Sequence, residues 1–162
     1  MTTAPSIVTR PVTRLLMVLA LVLGLSGGVA TTLAPPAQAA TGVSTTLRLR
    51  ALHYAASRHG APYQWGATGP SRFDCSGLTL WSYAHAGRQI PRTADQQWRA
   101  TIHIRRIWAR PGDLVFFFSG GTAYHVGIYA GAGRIWHAPR TGSVVKLVPL
   151  WTSAVRFGRV IR

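Results

Sequence analysis

The chain has 162 residues, enough for one domain of ordinary size and too few for two. Its 18 basic and 3 acidic residues give a net charge of +15, nearly all of it arginine, since Lys146 is the only lysine. The arginines are scattered and no nucleic-acid-binding motif accompanies them, so a generally basic surface is expected and a nucleic-acid partner is not.

Taken in order, the chain begins with a stretch that reads as a secretory signal. Arg10 and Arg14 supply positive charge ahead of an apolar core, Leu15 to Leu25. Ser26-Gly27-Gly28 breaks that core, and Ala37-Gln38-Ala39 fits the small-x-small cleavage pattern, so cleavage after Ala39 is expected. Retention as a membrane anchor is the alternative, but the run falls short of the ~20 apolar residues that a span needs. A leader at residues 40–46 then precedes one domain, residues 47–162. Leu47 to His59 carries an apolar stripe at helical spacing (Leu49, Leu52, Ala55, Ala56), with Gly60 to stop it. Pro62, Gly66, Gly69 and Pro70 mark a loop that holds Tyr63 and Trp65. A second helix is expected from Cys75 to Ala86, closed by Gly87, and a short third one follows Pro91-Arg92-Thr93 and ends near Trp98.

From Thr101 the texture turns to strands: 101–104, 114–118, 124–130, 134–138, 144–148 and 155–161. Pro111-Gly112-Asp113 and Gly131-Ala132-Gly133 are turns between them, and the last two strands are expected to complete a meander. Helices first and strands afterwards predict an α+β domain with a mostly antiparallel sheet.

The chemistry centres on Cys75, the only cysteine, which excludes an internal disulfide. A helix N-terminus favours an anion, so a thiol placed there is expected to fall from ~8.5 into roughly the 3.5–7.5 range. A nucleophilic thiol needs a base, and the base needs an orienting partner. His53, His59, His85 and His103 read as surface or boundary residues. His125 and His137 lie either side of the Gly131-Ala132-Gly133 turn, and a hairpin centred there sets them across from each other on one face. That supplies one imidazole for the sulfur and a second to fix its tautomer. Zinc would need more ligands at shorter spacing, so no metal or cofactor is expected. Trp65 and Trp136 are candidates to line a substrate groove, while the other tryptophans read as packing.

Five segments together carry a family resemblance: Tyr63-Gln64-Trp65-Gly66, Phe73-Asp74-Cys75-Ser76-Gly77-Leu78, Pro91-Arg92-Thr93, Pro111-Gly112-Asp113-Leu114-Val115-Phe116-Phe117, and His125-Val126-Gly127-Ile128-Tyr129 with His137-Ala138-Pro139. In this order and spacing they resemble the NlpC/P60 family of cell-wall cysteine peptidases, over about residues 47–161. The resemblance implies a papain-like α+β core, with Cys75 as nucleophile, His125 as base and His137 as orienting residue. It implies cleavage of peptidoglycan stem peptides, commonly between D-γ-glutamyl and diaminopimelate. Tyr63 matches a tyrosine near the family's cysteine, and Asp74, Ser76 and Trp65 are substrate-contact candidates beside it. Ala67 departs from the pattern, standing where a second glycine is common. Two alternatives stay open: a non-catalytic wall-binding module, and an amidase or acyl-transferase on the same fold. A monomer is expected, with the basic surface available to anionic wall polymers.

Overall fold

The computed structural model describes residues 38–161, with side chains from residue 45 onward. The expected signal segment lies outside these residues except for its last two positions. Three helices come first: α1 (Gln38–Ser57), α2 (Cys75–Ala86) and α3 (Ala94–Arg99). The backbone is thus already helical across residues 40–46, the stretch read as a leader. Thr41, Val43, Thr45 and Thr46 are weak helix formers, which is why local propensity suggested a later start. Among the described residues no helix is long and apolar enough to cross a membrane.

Local chemistry sets the ends of α2 and α3. Asp74 caps α2 by accepting the Gly77 N–H, and Gly87 closes it in a left-handed conformation. Thr93 and Gln96 form a reciprocal capping box on α3. Buried Gln97 then ties α3 to α2: its side-chain amide donates to the carbonyls of Ser76 at 3.0 Å and Pro91 at 2.9 Å.

Six strands form one antiparallel sheet: β1 (Ile102–Ile104), β2 (Leu114–Ser119), β3 (Thr122–Gly131), β4 (Arg134–His137), β5 (Lys146–Pro149) and β6 (Val155–Arg159). Their spatial order is β1-β6-β2-β3-β4-β5, which corrects the expected meander. Strands β2 to β5 do run as one, but β6 returns to the free edge of β2 and β1 closes on β6. A short 3-10 helix, Arg106–Trp108, links β1 to the turn before β2 and has no counterpart in the sequence reading.

The apolar run in β2 is continuous because both faces of that strand are covered. Leu114 and Phe116 enter the core shared with Leu78, Tyr83, Val126 and Ile128. Val115 and Phe117 enter a second cluster on the opposite face, with Ile135 and Phe157. Each such fully buried side chain contributes on the order of 1.5–3 kcal/mol. The turn before β2 holds the main charged centre of the scaffold. Asp113 is fully buried and accepts from Arg159 at 2.9 and 2.7 Å, from Arg48 at 3.5 Å and from the Arg110 amide at 2.7 Å.

Candidate active site

The loop ahead of Cys75 is built into the fold by its backbone. Tyr63 N–H donates to Ser143 O at 2.8 Å, Gln64 N–H to Phe73 O at 3.0 Å, and Asp74 N–H to Ala67 O at 2.9 Å. The loop is thereby pinned both to the β4–β5 connection and to the start of α2. Asp74 completes the joint. Its carboxylate accepts from Gly66 N–H at 2.9 Å and Gly77 N–H at 2.6 Å, and forms a two-pronged ion pair with Arg92. Arg92 also donates to Ser76 Oγ at 2.9 Å.

Gly77 is required by close approach: a Cβ there would lie 2.1 Å from the Ala67 carbonyl oxygen, a backbone atom with little room to move. Gly77→Ala is therefore expected to dislodge the loop from α2 and lower stability by about 1–3 kcal/mol. Thermal denaturation checks this, and an unchanged midpoint would remove the packing argument.

The histidine pair arises from the β3–β4 hairpin. Ile128 pairs with Trp136, and the register shifts between Tyr129 and Gly131, so the strands do not align as a simple turn predicts. Continuing that register sets Gly127, not His125, opposite His137. The two histidines share a face, as expected, but as diagonal neighbours. Gly127 leaves the space between them open, with its missing Cβ only 3.3 Å from that of His137. Across it, His125 Nε2 and His137 Nδ1 share a proton at 2.9 Å. When Nε2 of His125 donates, its Nδ1 is left unprotonated and able to accept a proton.

Cys75, His125 and His137 line one groove of roughly 550 Å³ with Tyr63, Trp65, Tyr124, Lys146 and Trp151. A second depression meets it at Cys75, Trp65 and Tyr124 and adds Asp74, Ser76 and Arg92. Of the eight residues singled out from the sequence for this site, Cys75, His125, His137, Tyr63, Trp65, Asp74 and Ser76 line these two depressions. Trp65 is 83% exposed, a large apolar surface held open at the groove. Asp74 and Ser76 are buried, and their hydrogen bonds hold the loop, α2 and Arg92 together. Trp136 is different: it packs edge-on against His59, away from the groove. Trp151 takes the place expected of it, stacked on Phe117 at 4.4 Å and 5.4 Å from the His137 ring. The other four histidines are exposed, in line with the sequence reading. The sequence reading gave no role to Arg92 or Lys146. With only three acids in the chain, the partner of Asp74 was open to question; Lys146 had no local signal.

Electrostatics correct one expectation. Burial pushes the Cys75 thiol above its ordinary value and the Asp74 carboxylate adds to this, while backbone hydrogen bonds from Val126 and Ser76 only partly offset it. Burial also lowers His125 to about 4, and lowers His137 to about 3 with help from the charges of His125 and Lys146. At neutral pH the resting groove therefore holds a neutral thiol and a neutral imidazole pair.

This sets the expected pH profile. If His125 is the base that the sequence reading expects, a second proton on its ring removes it, so kcat/KM falls only as pH drops towards 4, well below the ordinary histidine value of ~6.5. On the alkaline side it falls only above the ordinary thiol value. An acid limb centred near 6.5 would contradict the assignment. Stability follows the same sign: the unfolded chain protonates first, so stability is lost as pH falls from ~6.5 towards the folded values.

Taken together, the fold and the groove define an α+β domain with a thiol at the head of a helix and an imidazole pair on the neighbouring strands. The chain belongs to the NlpC/P60 family, whose model matches residues 60–156. It is 43% identical over 129 residues to a probable endopeptidase of Corynebacterium glutamicum, covering 76% of this chain and 59% of that one. It is 46% identical over 101 residues to the bifunctional muramidase/DL-endopeptidase CwlT of Bacillus subtilis, covering 60% of this chain and 30% of that one. The chain thus spans less than two thirds of these relatives. Among solved structures it resembles the peptidoglycan hydrolase RipB of Mycobacterium tuberculosis, with a TM-score of 0.66 and 28% identity over 84% of this chain and 77% of that one.

Proposed function

We propose that the chain is an extracytoplasmic cysteine endopeptidase that cuts peptidoglycan stem peptides, at the bond between D-γ-glutamyl and diaminopimelate. The observation that carries this reading is the convergence of Cys75, at the N-terminus of α2, and the His125–His137 pair in one groove. The names of the relatives support the substrate class, and the signal-like segment ahead of Ala40 supports secretion.

In this mechanism the Cys75 sulfur attacks the amide carbonyl as its proton passes to His125 Nδ1. A C–S bond forms, and the oxyanion is held by the Cys75 backbone N–H at the positive end of α2. His125 then gives its proton to the leaving amine as the C–N bond breaks, leaving a thioester. Water attacks the thioester with its proton taken by His125, and the thiol is restored as the acid product departs. His137 holds the His125 ring in the tautomer that exposes Nδ1 throughout. Tyr63 and Trp65 form one wall for the substrate, with Asp74 and Ser76 on the side towards Arg92.

Digestion of muropeptides of known stem sequence, read by mass spectrometry, tests the assignment. The expected products are one fragment ending in γ-D-glutamate and one beginning with diaminopimelate. Intact stems after long incubation would overturn the enzyme reading. Release of the whole stem from muramic acid would replace it with an amidase.

A further inference from the structure

The arginines of the β1–β6 end of the sheet form a second site. A groove of roughly 610 Å³ is lined there by Arg105, Arg106, Arg156, His103 and Trp98, among others. It lies at the far end of the strand order from β4 and β5, which carry His137 and Lys146. The three acidic side chains of the sequence are all engaged elsewhere: Asp74 with Arg92, Asp95 with Arg99, and Asp113 with Arg48 and Arg159. Among the described residues no carboxylate and no hydrogen-bond acceptor is joined to the guanidinium of Arg105, Arg106 or Arg156.

Aromatic rings lie against two of these cations, Arg105 and Arg156, without neutralising them. Arg156 lies over the Phe118 ring at 4.5 Å and near the Trp98 ring at 6.0 Å. Arg105 lies over Trp108 at 5.4 Å. His103 stacks on Trp98 at 3.5 Å, nearly parallel, with Nε2 3.1 Å from the Trp98 carbonyl oxygen. A concave surface with pre-positioned, unused N–H forks is suited to repeated phosphate groups on a slender chain.

We propose that this groove binds a linear polyol-phosphate polymer of the cell wall and tethers the enzyme beside its substrate. The choice of a wall polymer rests in part on the proposed function. It rests also on Trp98, whose ring is covered by His103 on one side and met edge-on by Phe116 and Phe118, leaving little face for a nucleobase.

The test is binding of the full chain to soluble poly(glycerol phosphate), measured against single-stranded DNA of equal phosphate content. Arg105→Gln/Arg106→Gln/Arg156→Gln is compared with Arg50→Gln/Arg88→Gln/Arg134→Gln, which removes equal charge from exposed sites elsewhere. The groove variant is expected to bind the polymer at least about tenfold more weakly, with a shallower salt dependence, and the other variant less than about threefold. Arg105→Gln/Arg106→Gln alone lies in exposed chain and gives the same comparison if the triple variant melts early. Equal weakening by both triple variants would show diffuse charge and overturn the site. Absence of binding by the unaltered chain, or tighter binding to DNA, would overturn the polymer. Cleavage of a soluble muropeptide is followed in parallel and should be unchanged in the groove variant. If the unaltered chain binds polymer but cleaves nothing, the endopeptidase reading fails and the groove stands.

Discussion

Cys75→Ala is expected to abolish muropeptide cleavage, by on the order of 10⁴-fold or more, while the protein stays folded and still binds its substrate. The thiol is half-buried and its desolvation opposes ionisation, so its removal relieves no favourable charge interaction and the melting temperature should hold or rise. His125→Gln should be nearly as severe, because a neutral amide cannot take the thiol proton. His137→Gln should be milder, roughly 10²-fold, since an amide can still hold the His125 ring through one hydrogen bond. His137→Ala should fall further, because the Nε2 of His125 then loses its 2.9 Å partner. A merely structural role for His137 would lower stability and activity together in both variants and leave the pH profile of the residual activity unmoved. Hydrolysis surviving in Cys75→Ala at near-native rate would end the nucleophile assignment.

The parts of this site that were legible in the sequence are those with local causes. The helix start at Cys75, the helix stop at Gly87 and the hairpin announced by the Gly131-Ala132-Gly133 turn each have their cause within a few residues. What stayed hidden depends on distant chain. The ionisation of Cys75 was misjudged because the helix end is a local feature while its burial is built by β3 and the loop before α2. The histidines were expected face to face, but a register shift near the turn, where Ala132 adopts a positive φ of 49°, made them diagonal neighbours. Gly127 within the His125 motif was the sequence mark of that arrangement, and its meaning appeared only with β4 alongside. Trp151 replaced Trp136 in the groove because strand alternation turns Trp136 towards α1, and nothing near Trp151 in sequence says that the loop after β5 folds back over Phe117. The return of β6 to β2 has no local signature, since either free strand edge offers the same backbone donors and acceptors.

Asp113 illustrates the same division on the side of stability. In sequence it ends a Pro-Gly-Asp turn; in the fold it is the fully buried anion that two arginines from opposite ends of the domain share. Arg48 brings in α1 and Arg159 brings in β6, while Tyr83 of α2 donates to the adjacent Gly112 carbonyl at 2.6 Å. Removing the carboxylate leaves the buried Arg48 and the partly exposed Arg159 without the counter-charge they share, and the Arg110 amide without its acceptor. Asp113→Ala is therefore expected to destabilise the domain by about 3–5 kcal/mol, the range for breaking one side of a buried ion pair. For a domain of this size that corresponds to a drop in melting temperature of roughly 10–20 °C. Asp113→Asn keeps one carbonyl oxygen and most of the volume, so its loss should be about half as large. Replacing Arg159 alone should cost less than replacing Asp113, because Arg159 is partly exposed and its removal leaves Arg48 still facing the carboxylate. Urea denaturation of the three variants gives this ranking directly. A loss below about 1 kcal/mol in Asp113→Ala would mean that water reaches the arginines once the carboxylate is gone. The turn would then be held by the Tyr83 and Tyr129 hydrogen bonds to its backbone instead.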